Sequence, residues 1–181
     1  MDPRIALVGF MGSGKSSVGS LLAESLGFNF LDTDAWIEKN EGLRIRDLFR
    51  LRGEAAFRAL EQEALEACLA GDRLVLSTGG GLWMMESSRN RLLSQAWCVW
   101  LRVDPEQVWE RVRVNIQDRP LLAHSKDPRL TIKDLLEQRN PFYALAHDQM
   151  DTSGKKPGEV VRGLRVLLRE RSPFDLSSLP L

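Results

Sequence analysis

Gly9-Phe10-Met11-Gly12-Ser13-Gly14-Lys15-Ser16 combines glycines, one lysine and one hydroxyl at the spacing Gly-x-x-x-x-Gly-Lys-Ser. That pattern suits polyphosphate. Glycines let the backbone curl so that several N–H groups point at one anion, and a helix starting at Lys15 adds the positive end of its dipole. Lys15 can reach the outer phosphates, the Ser16 hydroxyl can ligate magnesium, and Gly12, Ser13, Gly14 and Ser17 complete the candidate nucleotide contacts. The pattern therefore predicts a bound nucleoside triphosphate.

Further along, Asp32-Thr33-Asp34 offers two carboxylates. In an extended segment they would face the same way, one holding magnesium through water and the other accepting a proton from a hydroxyl. Equally, Asp34 could cap a helix starting at Ala35. Gly79-Gly80-Gly81 places three glycines at a strand end, which suits the close approach of a ligand, although a tight turn would need one or two of them. Arg139 stands at the end of a stripe formed by Ile132, Leu135 and Leu136, so its charge needs either a protein carboxylate or an incoming anion. Arg58, on a helix rich in exposed charge, reads by itself as a solvated arginine. Arg111, Arg113 and Arg119 lie in or beside a basic segment that can supply charge to phosphoryl transfer or be an ordinary surface loop.

The elements that must position these residues alternate between strand and helix. The first strand is expected near Arg4–Gly9, and its helix over Lys15–Leu26. Phe28–Leu31 reads as a strand and 35–70 as helical, with Phe57, Leu60, Ala64, Leu65 and Cys68 as its apolar stripe. Leu74–Leu76 and Trp97–Leu101 read as further strands. Asp104-Pro105-Glu106 opens a helix, and 117–129 reads as a loop. Thr131 and Asp134 suggest a capping box, Gln149–Asp151 a last strand, and the residues after Pro157 a final helix. Such alternation predicts an α/β domain with a mostly parallel sheet. Its ligands would then sit beyond the C-terminal strand ends, where the P-loop, the aspartates and the glycines converge.

The chain has 181 residues, 43% hydrophobic and 28% charged, with a formal net charge of zero. That suits one soluble domain and gives no sign of a nucleic-acid partner. No apolar run approaches the ~20 residues of a membrane span, and no signal peptide is expected, since the first strand starts almost at once. Cys68 and Cys98 read as core thiols, which fits a cytoplasmic location. The five tryptophans read as packing residues, and His124 and His147 are isolated.

In combination, the P-loop, Asp32-Thr33-Asp34, Gly53-Glu54-Ala55-Ala56-Phe57-Arg58, Ser77-Thr78-Gly79-Gly80-Gly81, Arg119-Pro120-Leu121-Leu122, Arg139-Asn140-Pro141-Phe142-Tyr143 and Asp151-Thr152 resemble the shikimate kinase family. The resemblance runs from about Arg4 to Arg169. It implies a three-layer α/β/α P-loop fold with a central five-stranded parallel sheet, a mobile lid at about 112–128 and one domain over 1–171, while Pro173, Pro180 and the serines of 172–181 read as a loose tail. It implies ATP and shikimate as substrates, magnesium as cofactor and a monomer. By the same resemblance Asp34, Arg58, Gly79, Gly80, Gly81 and Arg139 hold shikimate, with Asp34 as base and the two arginines on the carboxylate. Arg119 is then the lid arginine and acts with Lys15 on the phosphates. Ser16 and Asp32 hold the metal, and Lys156 contacts the nucleotide. The strand 74–78 lacks the usual metal-binding aspartate, which is why Asp32 takes that role. Two other readings are a kinase for another small acid such as gluconate, and a catalytically silent nucleotide-binding module.

Overall fold

The computed structural model describes residues 3–174, so most of the tail expected at 172–181 lies outside the described residues. The elements run β1 (Arg4–Val8), α1 (Lys15–Leu26), β2 (Asn29–Asp32), α2 (Thr33–Glu41), α3 (Ile45–Leu69), β3 (Leu74–Ser77), α4 (Glu86–Gln95) and β4 (Trp97–Arg102). They continue with α5 (Pro105–Val112), α6 (Pro120–Ala123), α7 (Pro128–Tyr143), β5 (Asp148–Asp151) and α8 (Pro157–Arg171). Short 3₁₀ turns occupy Leu82–Met84 and Arg113–Asp118.

The five strands form one sheet in the order β2-β3-β1-β4-β5, and every neighbouring pair is parallel. Strands buried on both faces need continuous apolar runs rather than alternation. Ile5-Ala6-Leu7-Val8 is such a run. Ala6 and Val8 face a core with Leu65, Cys68, Leu92, Val108, Ile132 and Leu136 from α3, α4, α5 and α7. Ile5 and Leu7 face Val18, Leu22, Val160 and Leu164 from α1 and α8. The result is a three-layer α/β/α stack, as the sequence implies. Ile37, Leu48, Phe57 and Ala64 form a smaller core between α2 and α3. Phe174 packs against the second core.

The local structure corrects several sequence expectations. The helix expected over 35–70 is two helices, and the second bends at Gly53 (φ 78°). Asp34 is not the cap of α2. Asp32 takes that position, its Oδ1 accepting from the N–H groups of Asp34 and Ala35 at 3.0 and 3.2 Å. Asp34 therefore lies in the first helical turn, and strand alternation does not apply to the pair. The capping box at Thr131 and Asp134 is absent. Asp127 followed by Pro128 starts α7 a turn earlier, and the Asp127 carboxylate accepts from Leu130 N–H at 3.1 Å, because a short acceptor before a first-turn proline outweighs a later threonine. Asp104 precedes α5 as expected but makes no side-chain cap bond. The segment 117–129 is not all loop, since Pro120 nucleates the single turn α6. Cys68 and Cys98 are buried free thiols.

Candidate active site

β1 lies between β3 and β4, so its C-terminal end opens where successive connections pass to opposite sides of the sheet. Crevices in parallel sheets form there. The P-loop curls over this end with Gly12 (φ 73°) and Gly14 (φ 91°) in conformations that L side chains rarely adopt. Lys15 Nζ donates to the Gly9 and Phe10 carbonyls, 2.9 Å each. Burial pushes its pKa down to about 8, against the pull of Asp34 and Asp32. The Ser13 hydroxyl is buried without a partner among the described residues. An anion seated in the loop would meet that hydroxyl and raise the lysine's pKa again.

Below the loop lies a cleft of about 650 Å³, lined by Ser16, Asp32, Asp34, Arg58, Glu61, Gly80, Gly81, Arg119 and Arg139, among others. Ser16 Oγ donates to Asp32 Oδ2 at 2.6 Å, placing the two candidate metal oxygens together. Asp34 Oδ1 is buried and unpartnered among the described residues. Burial first, and then the negative charges of Asp32 and Glu61, raise the Asp34 pKa to about 7 against the pull of Lys15 and Arg119. A carboxyl poised near neutrality in a cleft is a candidate proton acceptor.

Two of the three glycines, Gly79 and Gly81, prove to make room for protein side chains. A Cβ on Gly79 would lie 2.5 Å from Asp34 Oδ1 and 2.9 Å from Glu61 Oε1. A Cβ on Gly81 would overlap the Arg58 guanidinium, with Cζ at 2.7 Å. Gly80 contributes its carbonyl, which accepts from Arg139 Nη1 at 3.4 Å. The turn is therefore a floor onto which Asp34, Arg58 and Arg139 are pressed from three elements. Gly81→Ala is expected to displace Arg58 and weaken binding of an anionic substrate at least tenfold, on the order of one charge-assisted bond. Steady-state KM for each substrate checks this, with the nucleotide KM unchanged.

The two arginines differ. Arg58 is paired with Glu61 at 2.5 Å and Glu54 at 2.8 Å. Burial opposes its charge, but these carboxylates outweigh that and hold its pKa above the ordinary value. Glu61 is 1% exposed, and burial raises its own pKa against the pull of Arg58. Arg139 has no carboxylate at ion-pair distance among the described residues. It lies 5.7 Å over the Phe10 ring, a weak substitute for a counter-ion. Of the two partners that the sequence left open for Arg139, the described residues thus supply no carboxylate.

Arg119, at the N-terminus of α6, lines the same cleft, and its Nε is buried without a partner among the described residues. From the same segment Asp118 ion-pairs with Arg46 of α3 at 2.7 Å, so the expected lid touches the substrate-side helix. A second pocket of about 170 Å³ lies behind the P-loop, lined by Ser13, Gly14, Ser17, Arg111, Thr152, Lys155 and Pro157. Arg111 crosses it, donating to the Gly12 carbonyl at 2.8 Å and the Thr152 carbonyl at 3.0 Å. Arg113 instead pairs with Glu110 on the surface. Lys156 is the N-cap of α8, and its neighbours Lys155 and Pro157 line this pocket.

Sequence reasoning missed Glu61, and it singled out Arg111 without separating it from Arg113 and Arg119. Glu61 carried a signal: it occupies the i+4 position of the stripe from Phe57 through Ala64 to Cys68, where an acid requires a partner. For Arg111 the basic segment was the signal, but its partners were not legible, because they lie 99 and 41 residues away.

A P-loop over a parallel sheet, facing a cleft with a near-neutral carboxyl and an arginine without a counter-ion, defines a P-loop small-molecule kinase. Comparison with known proteins narrows the class. The family model described as Shikimate kinase matches residues 11–168. A shikimate kinase of Persephonella marina is 46% identical over 157 residues, covering 87% of this chain and 93% of that protein. The solved shikimate kinase from Acinetobacter baumannii, in complex with shikimate, superposes with a TM-score of 0.90 at 34% identity, covering 96% of this chain and 97% of that one. A gluconokinase from Sinorhizobium meliloti shares the fold at a TM-score of 0.59 and 24% identity, covering 94% of each chain. The chain belongs to the shikimate kinase family.

Proposed function

We propose that this enzyme transfers the γ-phosphoryl group of ATP to the 3-hydroxyl of shikimate, giving ADP and shikimate 3-phosphate on the route to chorismate and the aromatic amino acids. The observation that carries the reading is the glycine floor. It sets a guanidinium without a carboxylate (Arg139) and a carboxyl near neutrality (Asp34) in one cleft below a P-loop. A small ring acid carrying hydroxyls matches both ends. The shikimate bound in the Acinetobacter baumannii structure supports the choice of acid.

In this reading Gly12, Ser13, Gly14, Lys15, Ser16 and Ser17 hold the phosphates, and the pocket crossed by Arg111 takes the adenine, with Lys156 at its edge. Ser16 and Asp32 fit magnesium, being a hydroxyl and a carboxylate in contact at the cleft. Among the described residues no group of three or more His, Cys, Asp or Glu could hold a metal, so phosphate oxygens and water must complete an oxygen shell. Bound there, magnesium would neutralise phosphate charge. Arg58 and Arg139 fork the carboxylate of shikimate, Gly79, Gly80 and Gly81 lie under its ring, and Asp34 orients the acceptor hydroxyl and takes its proton. Lys15 and Arg119 offset the charge on the transferring group. The lid carrying Arg119 closes to keep water from competing as acceptor. The enzyme acts as a monomer in the cytoplasm, where its two buried free thiols stay reduced. No helix among the described residues is long and apolar enough to cross a membrane.

Coupled ADP release with MgATP and shikimate, against gluconate and quinate, tests the reading. Shikimate-dependent release supports it. Release with another acid alone would move the substrate assignment, and ATP binding without release on any acid would make the chain a silent module. Arg139→Ala is expected to raise the shikimate KM about tenfold to a hundredfold while sparing ATP, the worth of a charge-assisted hydrogen bond.

A further inference from the structure

Arg139 presents a problem of control. An arginine side chain has many rotamers, yet bidentate capture of a carboxylate needs the guanidinium plane fixed. No ion pair fixes it among the described residues, and its bond to the Gly80 carbonyl is long at 3.4 Å. One turn later on α7 stands Tyr143, the only tyrosine of the chain. Its ring is fully buried, 0% exposed, and stacks on Trp100 at 5.9 Å between centroids and 22° between planes. Its hydroxyl donates to the same Gly80 carbonyl at 3.1 Å.

We infer that Tyr143 is a positioning residue for the substrate carboxylate. By satisfying the Gly80 carbonyl, it leaves the Arg139 guanidinium available to the cleft. The inference rests on Arg139 being the carboxylate anchor of the proposed function.

Three observations support it. First, one carbonyl faces two donors, and the tyrosine makes the shorter bond. Without the hydroxyl, Arg139 becomes the only side-chain donor to this half-buried carbonyl among the described residues. A carbonyl that loses its shorter bond favours the donor that remains, so the guanidinium would be drawn to the backbone and the substrate would have to compete for it. Second, the phenol remains a neutral donor through the working range, because burial pushes its pKa up to about 12 against the charge of Arg139 and a side-chain hydrogen bond with it, so the same oxygen that serves Gly80 also bears on the guanidinium. Third, the end of α7 that carries the tyrosine is tied to the turn following the glycines. Trp83 Nε1 donates to the Phe142 carbonyl at 2.8 Å. Arg89 donates to the Trp83 carbonyl at 3.1 Å and lies 5.5 Å over the Phe142 ring. The hydroxyl thus meets Gly80 across a fixed separation. On the helix Arg139 and Tyr143 are neighbours at i and i+4, so one turn of α7 carries both the anchor and the group that releases it.

Steady-state kinetics of Tyr143→Phe separate this role from simple support of the fold. Shikimate is compared with its analogue bearing a hydroxymethyl group in place of the carboxylate. The expected result is a shikimate KM raised about tenfold, the scale of one hydrogen bond to a charged group. The kcat should stay within about twofold and the ATP KM should not change. Turnover of the analogue should be unaffected, since it makes no demand on Arg139, and Tyr143→Phe should add nothing in an Arg139→Ala background. Equal losses on both acceptors, additive effects in the double variant, or an unchanged shikimate KM would overturn the inference. The lone tyrosine also permits a test without substitution. In protein carrying 3-fluorotyrosine, the single ¹⁹F resonance should shift on adding shikimate and stay in place with the analogue; no shift with shikimate would sink the role. Wild-type enzyme inert toward shikimate would instead remove the proposed function on which the inference stands.

Discussion

Asp34→Asn should lower kcat with shikimate by about 10²–10⁴-fold, the contribution of a positioned proton acceptor, and at the same time make the ligand-free protein more stable at pH 8. The second effect follows from the environment of the carboxyl. Its folded pKa is raised from 3.8 to about 7, by burial first and then by Asp32 and Glu61. A raised carboxyl binds its proton more tightly when folded than when unfolded. Its penalty is therefore absent below pH 4, grows as pH rises from 4 to 7, and is complete above 7. Three units correspond to roughly 4 kcal/mol as an upper bound. Urea unfolding in nucleotide-free, magnesium-free buffer should show the asparagine variant ahead by a few kcal/mol at pH 8 and level with wild type at pH 4. An advantage that did not depend on pH would rule out ionisation as its source.

Arg58→Ala should cost about 3–5 kcal/mol of stability, because it strands Glu61 as a buried charge with no counter-ion. Most of that loss should return in Arg58→Ala/Glu61→Gln, where the carboxylate is gone too, while shikimate affinity should stay low in both. Urea titrations of wild type, Arg58→Ala, Glu61→Gln and the double variant measure the coupling. If the double variant were no more stable than Arg58→Ala, the Glu61 charge would not be the cause. The contrast with Arg139 is chemical. Arg58 arrives at the cleft already neutralised by Glu61 and Glu54, whereas Arg139 brings an uncompensated charge. In the proposed function Arg58 would then serve as a shaped donor and Arg139 as the long-range attraction for an anion.

Much of this site could be read from the chain. The P-loop is a local pattern whose chemistry and conformation are both encoded within eight residues. Strands buried on two faces show as short apolar runs, and α1 spans the predicted residues. The misreadings came where two local signals competed. Asp32 and Asp34 both suit a helix start, and only the packing of α2 decides that the first caps while the second stays unpartnered. Asp127-Pro128 outweighed Thr131 in the same way. What stayed hidden was contact across the fold. Gly79 answers to Asp34, 45 positions earlier, and Gly81 to Arg58. Nothing in a glycine's own neighbourhood says whether the space it leaves is for a ligand or for a side chain. The pairing of Tyr143 with Gly80 spans 63 residues, and the strand order that creates the crevice has no local code at all.

The glycine floor also bears on drug resistance. A competitive inhibitor resting on Gly79, Gly80 and Gly81 would contact main chain, which mutation cannot alter directly. Any larger residue at Gly79 or Gly81 would strike Asp34, Glu61 or Arg58 before it reached the drug, so the enzyme would disable itself in the act of escaping. Selection for escape would then fall on Gly80, where a Cβ would meet nothing closer than 3.9 Å, and on the rim of the cleft, where Leu121 is exposed. A compound that kept its contacts on the floor and made few at the rim would leave the organism the fewest viable replies.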